Sequence, residues 1–464
     1  MSKHGPDSLG VEKISSLLAR YAFPAIVAMA SSSIYNIIDS VFLGRGVGAI
    51  ALSALAVAMP LMNISSALGS MVGIGSAALV SIRMGEGHRQ DAFRILGNVV
   101  LLSLTLGAGM SAVALLFLDD ILVLFGASDA TLPYARDFMR IILAGNVVTH
   151  LYLSLNEVLR ASGYPMRSMA VMLTAVALNC VLNPLFIFGL GWGVAGSACA
   201  TVIAQCAALC IEIRHYSSPD SYLHFKKGIF RFDRRIIGGI IAIGLAPFLL
   251  HLCSSAVVIF INKALLRYGG DIYVGAYGVI NRVALLFIMI VSGLNQGMQP
   301  IVGYNYGARR YERVRKAFAL TALTAVCVMS VALLVSQVFP RQVAGLFVSG
   351  DDEHAARLVD IASHGMRIVM VIFPIVGFQI VSSNFFQYID KAPKAIFLSL
   401  TRQMIFLIPL LVVLPRYYGT SGVWYSMPIA DGIASLLAAV LIVRQMRSLR
   451  KKERGGEPPI RLRP

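Results

Sequence analysis

Between its charged and Gly/Pro-containing loops, the chain is a succession of long apolar runs, from "ISSLLARYAFPAIVAMASSSIYNIIDSVFL" (14–43) to "VWYSMPIADGIASLLAAVLIV" (423–443). Runs of about 20 residues are what a helix needs to cross roughly 30 Å of hydrocarbon. In that medium every backbone N–H and C=O must be paired internally, which leaves helices and closed barrels as the only choices. Barrel strands would read as short alternating segments, and none occur. The composition agrees: 57% of the 464 residues are hydrophobic and 14% charged, with a mean hydropathy of +0.75. Soluble domains carry about 25% charged residues. The expected fold class is therefore an all-α polytopic membrane protein.

Twelve spans are read, at approximately 14–44, 50–82, 92–118, 133–159, 167–190, 193–214, 236–266, 272–306, 312–338, 357–388, 394–414 and 420–445. An even number places both termini on one side. The formal charge of +17 could point to nucleic acid, but the basic residues fall in every second loop: Arg83, Arg89 and Arg94, then Arg160 and Arg167, "HFKKGIFRFDRR", "ARRYERVRK", Lys391 and Lys394, and the tail "RQMRSLRKKER". The alternate loops, such as "GLGWGVAG" and "SGDDEH", are neutral or acidic. This is the positive-inside pattern. It predicts cytoplasmic termini and lipid headgroups, rather than nucleic acid, as the partner of the charge. The six cysteines lie inside apolar segments; Cys206 and Cys210 share a helix face, but nothing completes a metal set, so they read as packing residues. "VAMAS" at 27–31 resembles a signal-peptidase site, yet the helical pattern runs on to Leu43, which predicts an uncleaved first span.

The chain repeats itself. "YAFPAIVAMASSS" aligns with "GLAPFLLHLCSSA" (Pro24 on Pro247), and "GIGSAALVSIRMGEGHR" with "NQGMQPIVGYNYGARRY" (Gly85 on Gly307). "NEVLRASGYP" aligns with "NFFQYIDKAP" (Asn156 on Asn384), and "GVAG" with "GTSG" (Gly196 on Gly422). The offset stays between 222 and 228 residues, as expected for a duplicated six-helix unit. Six helices per unit make the copies parallel repeats related by an axis along the membrane normal. The predicted organisation is an N-terminal lobe (1–214), a cytoplasmic linker (215–235) acting as hinge, a C-terminal lobe (236–446) and a basic tail (447–464). Two facing bundles that open a cavity to either side are transporter architecture.

Asp39 stands out in the first span, because a carboxylate at membrane depth costs about 2.5–3.5 kcal/mol on insertion scales. At 1.5 Å per residue, Asp39 lies about 8 Å from the outer end of its span, Asn183 about 10 Å and Thr201 about 12 Å. Asn179 and Asn183, four apart, share a helix face. One carboxylate, two amides and a hydroxyl thus fall at similar depth, an oxygen set that suits a proton shared with Asp39 or a Na⁺. The second repeat places Asn262, Leu407, Leu411 and Met427 at these positions, so the set belongs to one half and reads as functional rather than architectural. Gln205, Gln296, Gln299 and Asp431 are candidates for lining the cavity. Glu157 and Arg160, three apart, read as a structural pair. Pro24, 15 residues before Asp39, is the expected bend of span 1.

"PAIVAMASSSIYNIIDSVFLGR", "LNEVLRASGYPMRSMAV", "LNPLFIFGLGWGVAGSACATVIAQ" and "GLNQGMQPIVGYNYGARR" resemble the multidrug and toxic-compound extrusion (MATE) family, nearest its MepA-like bacterial branch. The resemblance spans roughly residues 10–450. It implies two six-helix lobes in a V shape that export lipophilic, often cationic compounds in exchange for H⁺ or Na⁺. The family's cation site maps to Asp39, Asn179, Asn183 and Thr201. Many members carry Asp where this chain has Asn183, which favours a proton over Na⁺ without deciding it.

The resulting expectation is a secondary antiporter of a bacterial inner membrane, monomeric, without cofactor or bound metal beyond a coupling ion. The alternative is a flippase for a lipid-linked precursor, which would need several cationic side chains such as Arg282 and Arg402 along the cavity. No His-Glu-x-x-His, Gly-x-Ser-x-Gly or Gly-x-x-x-x-Gly-Lys-Ser/Thr motif supports an enzyme or an ATP-driven pump.

Overall fold

Long helices account for nearly all of the computed structural model, which describes residues 8–348 and 353–455. The first half of the chain forms α1 (Ile14–Gly46), α2 (Ala49–Gly85), α3 (Arg89–Leu116) and α4, a bent pair of Leu132–Ala144 and Asn146–Ala161. It continues with α5 (Pro165–Pro184, extended by a wide π-type turn at Leu185–Gly189) and α6 (Gly193–Ser217). The second half repeats the order with α7 (Arg234–Gly269), α8 (Asp271–Gly307), α9 (Tyr311–Val338) and α10, the bent pair Glu353–Val369 and Phe373–Tyr388. The last run, Ala392–Arg454, is called α11 before Gly419 and α12 after it, because Gly419 leaves the helical region (φ 56°, ψ −135°).

Nine helical segments among the described residues are long and apolar enough to span a bilayer, or eleven when the pairs bent by 54° and 58° each count as one. The 63-residue segment Ala392–Arg454 covers two of the expected spans, and dividing it at Gly419 accounts for the twelve read from the sequence. The two bends occupy repeat-equivalent helices, at Gly145 in α4 and after Val369 in α10. Apolar periodicity carries no information about axis direction, so the run lengths read from the sequence do not show these bends.

The halves meet through α1 against α8 and α2 against α7 and α8. Near their basic-loop ends, α2 and α8 cross backbone to backbone. A Cβ on Gly85 would overlap the carbonyl oxygen of Tyr304, and a Cβ on Gly307 would overlap that of Ile82. The two contacts are repeat images of each other, which is the duplication seen as geometry. The N-terminal segment is clasped at the same end: Asn305 Nδ2 and Arg313 Nη2 donate to the Leu9 carbonyl at 2.9 and 3.0 Å, and Arg310 donates to that of Gly10. The link between the halves is also held down. Arg89 donates to the Tyr222 carbonyl (3.0 Å) and stacks on its ring, while Asn98 Oδ1 accepts from the Asp233 N–H (2.9 Å). Asp233 then caps α7 by accepting from the N–H groups of Arg235 and Ile236. The segment read from sequence as a hinge is thus a strap packed on α3.

Replacing Gly85 or Gly307 with Leu is expected to pry α2 from α8, at a cost of about 1–3 kcal/mol from overpacking. Maleimide labelling of the neighbouring, fully buried Ser81, as Ser81→Cys, should rise in both variants. Gly109→Leu, whose side chain would meet open space, should change neither stability nor labelling.

Candidate cation-coupling site

Three helices of the first half converge on Asp39. Its position on α1 faces the end of α5, where Pro184 contributes no N–H to the ladder and the chain widens into the π-type turn at Leu185–Gly189. Such turns re-aim the side chains around them. Gly191 (φ 68°) and Gly193 (φ 55°) then reverse the chain into α6 within a few residues. The reversal is tied by the Trp192 N–H to the Phe186 carbonyl (3.0 Å), so α5 and α6 form a tight hairpin that presents both inner faces to α1.

The four residues expected to form a site lie in one hydrogen-bonded chain. Asn183 Nδ2 donates to Asp39 Oδ1 and also reaches Asn179 Oδ1 at 3.3 Å. Asn179 Nδ2 donates in turn to Thr201 Oγ1 at 3.0 Å. A fifth residue, absent from the sequence reading, completes the cluster: Ser197 Oγ donates to Asp39 Oδ1 at 2.8 Å. A signal for Ser197 existed, since it precedes Thr201 by four residues and therefore shares its face of α6. Asp39, Asn179, Asn183 and Ser197 are all buried.

Asp39 is therefore held as an acceptor by an amide and a hydroxyl on two other helices, the arrangement an ionised carboxylate requires away from water. Asn183 Oδ1 is buried without a hydrogen-bond partner. It is an acceptor open to a new donor, either the O–H of a protonated Asp39 after the amide turns or a small hard cation. Carboxylate, amide and hydroxyl oxygens are all present, so the donor set fits either ion.

The second half carries no counterpart. Leu407, Leu411 and Met427 are buried in the apolar core at the positions of the amides and Thr201, and Asn262 is half-buried where Asp39 would be. The other candidates lie apart from the cluster. Gln205 accepts a hydrogen bond from Thr149 Oγ1 inside the first half, and Gln299 Nε2 donates across to the Ile74 carbonyl at 3.1 Å, bracing α8 against α2. Gln296 is half-buried on α8. Asp431 is buried and paired with Arg402 Nε at 2.6 Å, a partner 29 residues away on another helix that no spacing rule could supply. Glu157 and Arg160 form the expected pair within α4. Pro24 is buried inside α1, which runs unbroken from Ile14 to Gly46.

Removing a donor to a buried charged acceptor typically costs about 1–3 kcal/mol. Ser197→Ala and Asn183→Ala are each expected to lower the thermal stability of the purified protein by that order. Asn183→Ala should do so more, because it breaks two links of the chain. Gln296→Ala, outside the network, should leave the melting temperature within measurement error.

Comparison with known proteins places the whole chain. The MatE family profile matches residues 24–185 and 243–413, one match in each half. The multidrug export proteins MepA of Staphylococcus haemolyticus and of Staphylococcus aureus strain MSSA476 are each 25% identical to it, over 425 and 435 residues. The alignments cover 92% of this chain and of the relative in the first case, and 93% of each in the second. Among solved structures, a MATE in complex with MaL6 superposes with a TM-score of 0.90 at 25% identity, covering 97% of this chain and 100% of that one. A MATE in the bent conformation superposes with a TM-score of 0.91 at 24% identity over 97% of this chain and 99% of that one. A MATE in the straight conformation gives 0.89 at 24% identity, over 96% and 98%. With both halves matched and the helical architecture shared from end to end, this chain is a multi-pass membrane transporter, not an enzyme, and belongs to the MATE family of multidrug exporters.

Proposed function

We propose that the protein is an antiporter that exports lipophilic, chiefly cationic compounds by alternating access, with Asp39 as the group through which an inward ion gradient acts. The reading rests on one observation: a buried carboxylate on α1 is bound to α5 and α6 by exchangeable hydrogen bonds, next to a buried amide oxygen with no partner. The multidrug export activity named for the MepA relatives supports the substrate class.

The coupling follows from bond accounting. An ionised Asp39 accepts from Asn183 and Ser197 and so ties α1 to the α5–α6 hairpin. A proton on Asp39 removes an acceptor and adds a donor, so the amide of Asn183 must turn to offer its oxygen and Ser197 must find another partner. The junction of three helices is rewired without a change in its total number of groups. At its other end α1 packs against α8 of the second half, so a shift of α1 reaches the contact between halves. Pro24 lies within that contact, between Ala22 and Ile26, which approach Gly297 and Gly293 of α8, and its missing N–H makes bending cheapest there; bent and straight conformations are both known among the solved relatives. Transport requires that proton and substrate favour different states, because a ligand bound equally by both shifts nothing.

Under this reading residues 1–214 and 236–446 are the two lobes, 215–235 is the cytoplasmic link, and both termini face the cytoplasm of a bacterial cell. The same reading takes the protein as a monomer. Asn183, neutral where many members carry Asp, leaves Asp39 as the only carboxylate of the cluster. A single negative charge is enough for H⁺, whereas Na⁺ gains from a second. The flippase alternative lacks support at Arg402, whose charge is already balanced by Asp431.

Proteoliposomes loaded with a fluorescent lipophilic cation test the proposal by imposing pH and Na⁺ gradients separately. Export driven by the pH gradient alone is expected, together with its loss in Asp39→Asn at unchanged reconstitution. Equal export by Asp39→Asn would falsify the assignment, and export driven by Na⁺ alone would replace the proton with that ion.

A further inference from the structure

The first half carries a groove of about 130 Å³ where the start of α5 meets the end of α6. Ala170, Thr174 and Ile211 line its apolar part, and Arg167 and His215 its polar end. On α5, Arg167, Ala170 and Thr174 share one face by their spacing, and Ile211 and His215 do so on α6. Ala170 precedes Asn179 by nine residues, or two and a half turns, so this face points away from the Asp39 cluster. Ala170, Thr174 and Ile211 are exposed, and the stripe runs on through the exposed Ala177, Val181 and Leu185. The Thr174 hydroxyl adds no free donor, because it donates to the Ala170 carbonyl at 2.8 Å. An exposed apolar stripe on the outer side of a spanning helix is a surface for lipid.

Arg167 stands in the first turn of α5 and His215 in the last turn of α6, so both lie at the membrane surface. The guanidinium is held in place. Its Nη1 donates to His215 Nδ1 at 2.8 Å, and its central carbon lies 5.0 Å from the centre of the Tyr164 ring. That ring is fixed in turn, packed edge-on against His215 at 4.8 Å, with its hydroxyl accepting from the Tyr222 N–H at 3.3 Å. Four of the five guanidinium N–H groups remain after the bond to His215. Arg402 of the second half is balanced by Asp431, whereas no carboxylate pairs with Arg167 among the described residues. The exposed Arg214, next to His215, adds a second positive charge.

We propose that this groove is a binding site for an anionic phospholipid of the phosphatidylglycerol class. The phosphate takes the free edge of the Arg167 guanidinium, the fork geometry in which arginine recognises phosphate. The upper part of one acyl chain lies between α5 and α6 over Ala170, Thr174 and Ile211. Arg167 and Thr174 are seven residues apart, so cation and apolar floor are about 10 Å from each other along the membrane normal. The groove has to hold only that short length of hydrocarbon, because it opens sideways into the bilayer. Basic pockets between spanning helices at the cytoplasmic surface are where anionic headgroups bind. Under the proposed orientation the lipid belongs to the cytoplasmic leaflet, and it seats beside the strap at Tyr222. The site does not depend on Asp39.

Photocrosslinking of the full-length protein in phosphatidylcholine nanodiscs tests this. The discs contain a trace of phosphatidylglycerol or of phosphatidylcholine, each with a diazirine on its acyl chain, and the labelled residues are mapped by mass spectrometry. Labelling of 168–178 and 208–214 is expected to be at least about fivefold stronger with phosphatidylglycerol, the preference that one arginine gives near an anionic surface. Arg167→Gln, an exposed position, should bring the ratio close to one. Arg94→Gln, which removes a basic-loop cation outside the groove, should leave it unchanged, as should Asp39→Asn, so that a failure of the coupling assignment does not touch this one. Inorganic phosphate at constant ionic strength should not reduce the preference either. Equal labelling by the two lipids, a preference that survives Arg167→Gln, or its equal loss in Arg94→Gln overturns the proposal. Loss of the preference to inorganic phosphate does so as well, since the site would then take a free anion rather than a lipid.

Discussion

A carboxylate carried at membrane depth has to be supplied with donors by its neighbours, and around Asp39 that requirement organises three helices. Asn183 and Ser197 satisfy it from α5 and α6, and Asn179 and Thr201 hold those two helices to each other behind it. The Pro184 turn and the glycines at 191 and 193 exist in the service of this junction, because they set how closely α5 and α6 approach. Local architecture here has one physical cause: the buried carboxylate is tolerable only while its hydrogen bonds are kept.

The duplicated unit shows how such sites can be built without rebuilding the fold. The crossing of α2 and α8 is kept in both copies through Gly85 and Gly307, since backbone-to-backbone approach leaves no space for a side chain. Positions that do not carry the architecture have diverged. The first half places its oxygen cluster where the second has Leu407, Leu411 and Met427. The second half places Gln387 and Arg402 where the first has Leu159 and Thr174. Each half has thus kept the common packing and acquired its own buried polar group.

Arg402 and Asp431 illustrate why buried charges come in pairs. Either alone would be costly in hydrocarbon, whereas together they form a 2.6 Å ion pair that leaves part of the guanidinium facing a cavity. The packed strap at 215–235 makes a related point about connection. Arg89, Asn98 and Asp233 bind this link to α3 and to the start of α7. Composition reports solubility, and the backbone's hydrogen bonds decide order.

By itself the sequence determined the membrane class, the apolar helical runs, the repeat, and that Asp39, Asn179, Asn183 and Thr201 fall at a common level on three helices. Each of these follows from run length, period and rise per residue, which are local quantities. Only the tertiary structure decided that Ser197 bonds Asp39, that Asp431 belongs to Arg402, that Gln299 braces two halves, and that α4 and α10 bend. Those depend on the relative placement of helices distant in the chain, set by side-chain packing and by turns such as Pro184 and Gly419. One-dimensional spacing fixes the height and face of a residue along its own axis, and it leaves open what stands opposite.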